Sequence, residues 1–405
     1  MAGVSSGDSP RIPFHLPSVD AADEAAVLEV LRSGWLTSAG RAAELERRCA
    51  ELSGVAHGVA TNSCTAALHL ALVALGVGPG ADAGAGGCAG GGADADAADE
   101  VVLSPITFAS AANVVLHCGA TPVFCDVQPD TLNMDPDALA AALTERTRAV
   151  IAVHFAGHPA EMDRIRAVCD PLDVPVIEDA AHAIGARHKG RPVGSLGRVA
   201  AYSFYATKNI TSGEGGMLVT DDAALAERAK LLSLHGMTRD AWKRYSDAGY
   251  RHWDIVAPGF KYNLSDMQAA LALSQLDKLA AFNAERRRLV ELYDRLLADV
   301  SNLEPLLRRA DVESAYHLYV VRVRAGAPLD RDGLMAALTA AGIGVGVHFR
   351  PVHLHPYYRE ALGFRPGMCP VAEATGERVL SLPLFPGMRD ADVERVAEAC
   401  RTALA

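Results

Sequence analysis

Lys208 stands in the stretch SFYATKNITSGEGGMLVT, residues 203–220, between the aromatic end of an apolar run and a series of small residues. Only six lysines occur in the 405 residues, so an ammonium group at a strand-to-turn junction calls for a reason. A desolvated amine loses part of its basicity and becomes a nucleophile toward a carbonyl carbon, forming a Schiff base. A surface lysine that lies its methylene stem along apolar neighbours reads the same in isolation.

The segment VPVIEDAAHAIG, residues 174–185, delivers Glu178 and Asp179 directly after an apolar run. An ionised carboxylate at a buried strand end is costly unless something cationic meets it. A pyridinium nitrogen is such a partner. A carboxylate there would keep the ring nitrogen of pyridoxal phosphate protonated and make the ring an electron sink. The alternative is an aspartate that caps the following turn. A phosphate has a candidate seat in TNSCTAALHLALVALG, residues 61–76. Ser63 is placed as the N-cap, so the amides of Cys64, Thr65 and Ala66 should point out of a helix N-terminus that favours anions. The hydroxyls of Thr65 and Ser203 could add hydrogen bonds. By itself such a helix start is common.

The elements that must position these groups read clearly. From about residue 60 to 235, short β-branched runs alternate with alanine-rich helical patterns: EVVLSP, TPVFCDV, RAVIAVHF, VPVIED, VAAYSF and GMLVT are the expected strands. This alternation predicts an α/β fold with a largely parallel sheet covered by helices. Asp135-Pro136 marks a helix start, and Gly34 and Gly236 follow periodic segments where helices end. A long helical pattern from Leu264 to about Val300 leads into a smaller α+β unit built from YHLYVVRV, RDGLMAALTAAG, GVGVHF and a last helix from Asp390. The expected division is a large unit, 11–285, and a small C-terminal one, 286–405.

Residues 78–99, GPGADAGAGGCAGGGADADAAD, have no apolar residue able to anchor a core and read as a surface loop. The GAGGCA within them is a relaxed dinucleotide-binding fingerprint without the strand before it and helix after it that such a motif needs.

A formal net charge of -11 disfavours the non-specific electrostatic grip that nucleic acid requires. Eight cysteines lack any C-x-x-C pair, so neither a disulfide framework nor a thiolate zinc site is signalled. His348, His353 and His355 have no carboxylate at ligand spacing, and no metal is expected. The opening MAGVSSGDSPR lacks the pattern of a signal peptide, and the longest apolar run is too short to span a bilayer. These features predict a soluble cytoplasmic protein with reduced thiols.

The ordered series NSCTAALH, SPITFASAANVVLHCGATPVFCDV, VHFAGHPAEMDRI, VIEDAAHAIGA, SFYATKNITSGEGGMLVT, LHGMTRD, PGFKYNLSDMQAALALSQL and GVHFRPVH resembles the DegT/DnrJ/EryC1/StrS family of sugar-nucleotide aminotransferases from about residue 11 to 400. Through ATKNIT, PGFKYNLSDMQAALAL and HFRPVHLHPYYRE it is similar to the UDP-4-amino-4-deoxy-L-arabinose–oxoglutarate aminotransferases within that family. The resemblance implies fold-type I architecture with a mainly parallel seven-stranded sheet, pyridoxal 5'-phosphate, and a homodimer with shared active sites. It also implies roles. Lys208 matches the Schiff-base lysine, Asp179 the partner of the ring nitrogen, and Thr65 and Ser203, beside Cys64, the phosphate ligands. Phe108 falls where an aromatic stacks on the ring, His182 near the cofactor's phenolic oxygen, and Asn263 where an asparagine reaches the neighbouring subunit's phosphate. The insert after Gly80 departs from the family pattern.

The reaction implied is a two-stage transfer from L-glutamate, leaving 2-oxoglutarate and pyridoxamine phosphate, to the C4 keto group of a nucleotide-linked sugar. A UDP-4-keto-pentose is the expected acceptor, with a 4-keto-6-deoxyhexose nucleotide as the alternative. Lys243, Arg244 and Arg251 in RDAWKRYSDAGYRHW could meet the diphosphate or be a solvated charge run. Trp35 and Thr37 are candidate walls for sugar or base, Trp35 equally a packing residue, and His348 a candidate substrate contact. Two rivals are a pyridoxal-dependent sugar dehydratase, whose relatives carry histidine in place of the lysine, and a cofactor-binding regulatory protein.

Overall fold

The computed structural model describes residues 10–78, 98–238 and 253–405. Its centre is a seven-stranded sheet of β1 (His57–Thr61), β2 (Glu100–Leu103), β3 (Thr121–Phe124), β4 (Thr147–Val153), β5 (Val176–Asp179), β6 (Val199–Ser203) and β7 (Gly216–Thr220). The spatial order is β1-β7-β6-β5-β4-β2-β3. β7 alone runs antiparallel to its two neighbours, while the ladders from β6 to β3 are parallel.

A parallel sheet must be covered on both faces because its crossover helices lie on them. Along β4 the alternation of side chains divides two cores: Val150 and Ala152 pack with the helices Gly40–Ser53, Met162–Cys169 and Asp266–Leu297. Ala149 and Ile151 pack with Cys64–Ala74, Ser110–His117 and Ala223–Ser233 on the other face.

Two helix starts are capped from a distance. Ala39 offers the Gly40–Ser53 helix no side-chain cap; instead the Asp266 carboxylate accepts from the amides of Ala39, Arg41 and Ala42 at 2.7, 3.1 and 3.0 Å. Asp126 does the same for Val371 and Ala372, both at 2.9 Å, at the start of Pro370–Gly376. Both satisfy donors that a helix start leaves unpaired.

The C-terminal part holds an antiparallel sheet of β8 (Leu303–Pro305), β9 (Tyr319–Val323) and β10 (Val379–Leu382), ordered β8-β9-β10. Helices Arg331–Ala340 and Asp390–Ala403 share its core. The expected division at residue 285 falls inside the continuous Asp266–Leu297 helix, which packs against helices of both parts. Ile12, assigned in sequence to the large unit, bridges to Ile343 and is buried in the C-terminal core.

Two further differences from the sequence expectation have physical causes. β1, HGVAT, carries only one strongly β-prone core residue and escaped the strand pattern. The expected strand GVGVHF forms only one isolated bridge, Gly346 to Ser381, while Ile343 just before it bridges to Ile12. Gly344 there passes so close to Phe14 that a Cβ would lie 2.5 Å from the Phe14 amide nitrogen. Most of the expected loop 78–99 lies outside the described residues, but its ends meet: Gly78 donates to Asp99 Oδ2 at 3.0 Å, and Asp99 donates back to the Gly78 carbonyl at 3.3 Å.

Candidate active site

The sheet register brings the expected residues to one edge. Val153 lies opposite Asp179, Asp179 opposite Ala201, Ser203 opposite Gly216, and Gly216 opposite Thr61. This is the C-terminal edge of the parallel strands, where the connecting loops diverge and helix N-termini arrive. A cavity of about 510 Å³ opens there, and Thr65, Phe108, Asp179, His182, Ser203 and Lys208 are among its lining.

The Cys64–Ala74 helix points its start into this cavity. Ser63 is its N-cap, with Oγ accepting from the Ala66 amide at 3.1 Å. That bond consumes one of the three amides expected to face a phosphate; those of Cys64 and Thr65 remain. Gly216 allows the close approach: a Cβ there would lie 2.5 Å from the Cys64 nitrogen. Burial pushes the Cys64 thiol well above its ordinary range, so this residue offers its amide rather than a thiolate.

Lys208 follows a tight turn in which its amide donates to the Tyr205 carbonyl at 2.9 Å. Burial pushes its ammonium down to about 8, against the opposing pull of Cys64 and Asp179. Near neutral pH a usable fraction of the amine is therefore unprotonated. Asp179 has 6% of its surface exposed, and its Oδ1 accepts from the Ala181 amide at 3.1 Å. Burial raises its pKa, opposed by that amide and by Lys208. The turn-capping bond and the cavity-facing carboxylate thus coexist in one residue.

His182 is buried, its ring lying 4.4 Å from that of His317 and 6.1 Å from that of Phe349, centroid to centroid. Its Nδ1 has no hydrogen-bond partner among the described residues, and burial holds the imidazole neutral. His348 also lines the cavity. It stacks on Phe14 at 5.5 Å, meets Ser381 Oγ through Nδ1 at 2.9 Å, and is pushed down to about 4 by burial. Phe108 keeps 66% of its surface exposed at the cavity, a free aromatic face.

Trp35, Thr37 and Asn263 do not line this cavity. The segment around Ser38 is tied to the start of the long helix, with Ser38 Oγ donating to the Leu264 carbonyl and Asn263 Nδ2 donating to Ser38 Oγ at 2.7 Å. Asn263 Oδ1 is buried and unpaired among the described residues. Trp35 and Thr37, the candidate walls for sugar or base, are both exposed on this chain, away from the Lys208 cavity. Lys243, Arg244 and Arg251 lie outside the described residues. The histidine trio diverges, His353 Nε2 meeting Glu373 at 2.9 Å while His348 meets Ser381.

The sequence reading missed Phe14, His15, Asn209 and His317. Phe14, His15 and His317 line the cavity, and Asn209 holds His317 at 3.0 Å. Asn209 had a signal in its position next to Lys208. Phe14 and His317 arrive from the N-terminal segment and from the stretch just before β9, which no local pattern connects to Lys208.

The residues present fit a phosphorylated pyridine aldehyde. A primary amine is available for its carbonyl, and an under-compensated carboxylate for its ring nitrogen. Two free amides and two hydroxyls can take its phosphate, and the unpaired His182 nitrogen can meet a ring substituent. The comparisons agree with this chemistry. Residues 17–401 match the DegT/DnrJ/EryC1/StrS aminotransferase family. SpsC of Bacillus subtilis (strain 168), a spore coat polysaccharide biosynthesis protein, is 44% identical over 392 residues, 96% of each chain. Spr1654 of Streptococcus pneumoniae, described as a sugar aminotransferase and solved in PMP and PLP forms, is 34% identical. Its PMP form has a TM-score of 0.87 over 97% of both chains. DesI, solved in the presence of its TDP-sugar product, is 33% identical with a TM-score of 0.83, covering 99% of this chain and 94% of its own. The chain belongs to the DegT/DnrJ/EryC1/StrS aminotransferase family, and it is a pyridoxal phosphate-dependent sugar aminotransferase.

Proposed function

We propose that the enzyme moves an amino group from L-glutamate to the C4 keto carbon of a nucleotide-linked sugar, with a UDP-4-keto-pentose as acceptor and a 4-keto-6-deoxyhexose nucleotide as the alternative. The observation that carries this reading is the convergence of Lys208, Asp179 and the Cys64–Ala74 helix start on one cavity. DesI, with its TDP-sugar product, supports a nucleotide-linked sugar here. When bound, the cofactor would supply a carbonyl carbon for the amine and a protonated ring nitrogen that draws in negative charge. Asp179 keeps the proton on that nitrogen. Lys208, once its amine is free, takes the proton from the donor's α-carbon and later delivers one to C4 of the sugar. The amides of Cys64 and Thr65 and the hydroxyls of Thr65 and Ser203 would bind the phosphate, Phe108 would cover the ring, and His182 would meet the phenolic oxygen.

Both substrates use the cavity in turn, so the kinetics are ping-pong. The unpaired Asn263 Oδ1 and the outward-facing Trp35 and Thr37 support a homodimer in which they complete the partner's site. Lys243, Arg244 and Arg251 are assigned to the sugar diphosphate, and His348 to a sugar contact. No helix of the described residues is long and apolar enough to cross a membrane, and we place the enzyme in the cytoplasm. The test is to incubate it with glutamate and a panel of 4-keto sugar nucleotides, reading 2-oxoglutarate and amino sugar. Bleaching of the cofactor band by glutamate with no sugar aminated would overturn the acceptor assignment.

A further inference from the structure

A chain of side-chain amides, fixed by backbone carbonyls that can only accept, runs beside Lys208. Asn283 Nδ2 donates to the Ile184 carbonyl at 3.1 Å, so its Oδ1 accepts from Asn209 Nδ2 at 2.8 Å. Asn209 Nδ2 also donates to the Ala315 carbonyl at 2.6 Å. Carbonyl oxygens only accept, so both amide orientations are determined. Asn209 must then turn its oxygen toward His317 Nδ1, 3.0 Å away. An amide oxygen offers no proton, so His317 carries its proton on Nδ1 and leaves a lone pair on Nε2.

The His317 backbone is held as firmly as its ring. Its amide donates to the Ala156 carbonyl at 3.0 Å, and its carbonyl accepts from Arg286 Nη1 at 3.1 Å. The ring lines the same cavity as Lys208. The titratable groups acting on it are His182, Lys208, Arg286 and His15, and with burial they all oppose a positive charge on it. A second proton on Nε2 is disfavoured by every neighbour.

We propose that Asn209 is a positioning residue that locks His317 in the Nδ1–H tautomer, so that Nε2 presents a hydrogen-bond acceptor to an N–H or O–H of the bound reactants. This rests on the amino-transfer reading for its purpose but not for its tautomer. Two reactants carry suitable donors, the amino group of the donor amino acid and a hydroxyl of the sugar, and the two half-reactions distinguish them. An acceptor bond lost from one reactant slows that half-reaction by about tenfold. The other half-reaction is unchanged.

Nitrogen-15 NMR of the holoenzyme labelled at histidine reads the tautomer without any substrate. The wild type should show a His317 Nε2 of the unprotonated type at pH 7, and Asn209→Ala should admit the Nε2–H form. A protonated Nε2 in the wild type overturns the proposal even where the enzyme transaminates normally, and a failed amination assay leaves the tautomer result intact. His317→Gln, which keeps an acceptor oxygen, should retain more of the affected half-reaction than His317→Leu. Equal slowing of both half-reactions by Gln and Leu, with a matching fall in melting temperature, would mark a structural role and overturn the proposal, as would no slowing of either.

Discussion

Glu178 and Asp179 are neighbours on one strand, yet they end in opposite surroundings because successive side chains leave a strand on opposite faces. Glu178 is fully buried and receives four N–H donors: His154 Nε2 at 2.9 Å and the amides of Gly194, Leu196 and Gly197 at 3.0, 2.8 and 2.7 Å. His154 Nδ1 accepts from the Ala160 amide at 3.0 Å, which leaves Nε2 as the nitrogen that donates to Glu178. Burial works against the Glu178 charge, but His154 and the amides outweigh it and hold the carboxyl below its ordinary range. Asp179 receives one amide, and burial leaves it above its ordinary range. A carboxylate whose donors are all supplied by the protein is structural. One left short at a cavity wall is held ready for a ligand's cation.

The sharpest way to break this contrast is at the cavity. Lys208→Ala should lower single-turnover amino transfer by about 10³-fold or more while the folded protein keeps its circular dichroism; near-normal turnover would remove the lysine from the chemistry. Asp179→Asn keeps the turn bond to Ala181 but loses the charge. It should lower the rate by about 100-fold, with little change in unfolding midpoint. The reverse pattern is expected for Glu178→Gln, which leaves the surrounding donors without their anion. Urea unfolding should show a loss of roughly 3 kcal/mol, with the rate per folded molecule largely preserved.

The pH dependence separates the two faces again. The folded pKa of Glu178 is depressed, so its contribution is present above the unfolded value of about 4.3 and fades as pH falls through the folded one. Lys208 is a cation with a folded pKa lowered to about 8, so its burial destabilises the empty site below that pH. Lys208→Met should raise the melting temperature of the cofactor-free enzyme at pH 7, and the gain should disappear as pH rises from about 8 to the ordinary value of 10.5. The smallest effect is expected at the rim: Asn263→Ala should weaken cofactor binding by a few-fold, about one hydrogen bond's worth, measured by titrating apoenzyme.

Much of the site was legible because its groups sit next to local signals. Asp179 closes an apolar strand, Lys208 follows one, and Ser63 precedes an alanine-rich helix, so residue type and spacing raised them as candidates and the ordered family motifs gave them roles. The role of Glu178 was not separable from that of Asp179 in sequence, although PVGSLG, residues 192–197, held a clue. Gly194 adopts φ +102, and a Cβ on Gly197 would lie 2.5 Å from the Val176 carbonyl oxygen, so both glycines are required for the loop that wraps Glu178. Whether Trp35 and Thr37 meet a substrate was not legible, because an aromatic and a hydroxyl near a turn carry no sign of which surface they face.

By itself the sequence determined the alternation of strands and helices, the two cores that alternation implies, and the chemical types available at each strand end. These follow from periodicity and capping, which act over a few residues. Tertiary structure alone decided that Asp266 and Asp126 cap helices far from them in the chain, that His317 and Phe14 join Lys208 at one cavity, and which of two adjacent carboxylates stays short of donors. Those outcomes depend on hydrogen bonds and desolvation between segments that are separate in sequence, and a free energy that arises only when such groups exclude water together has no local pattern to announce it.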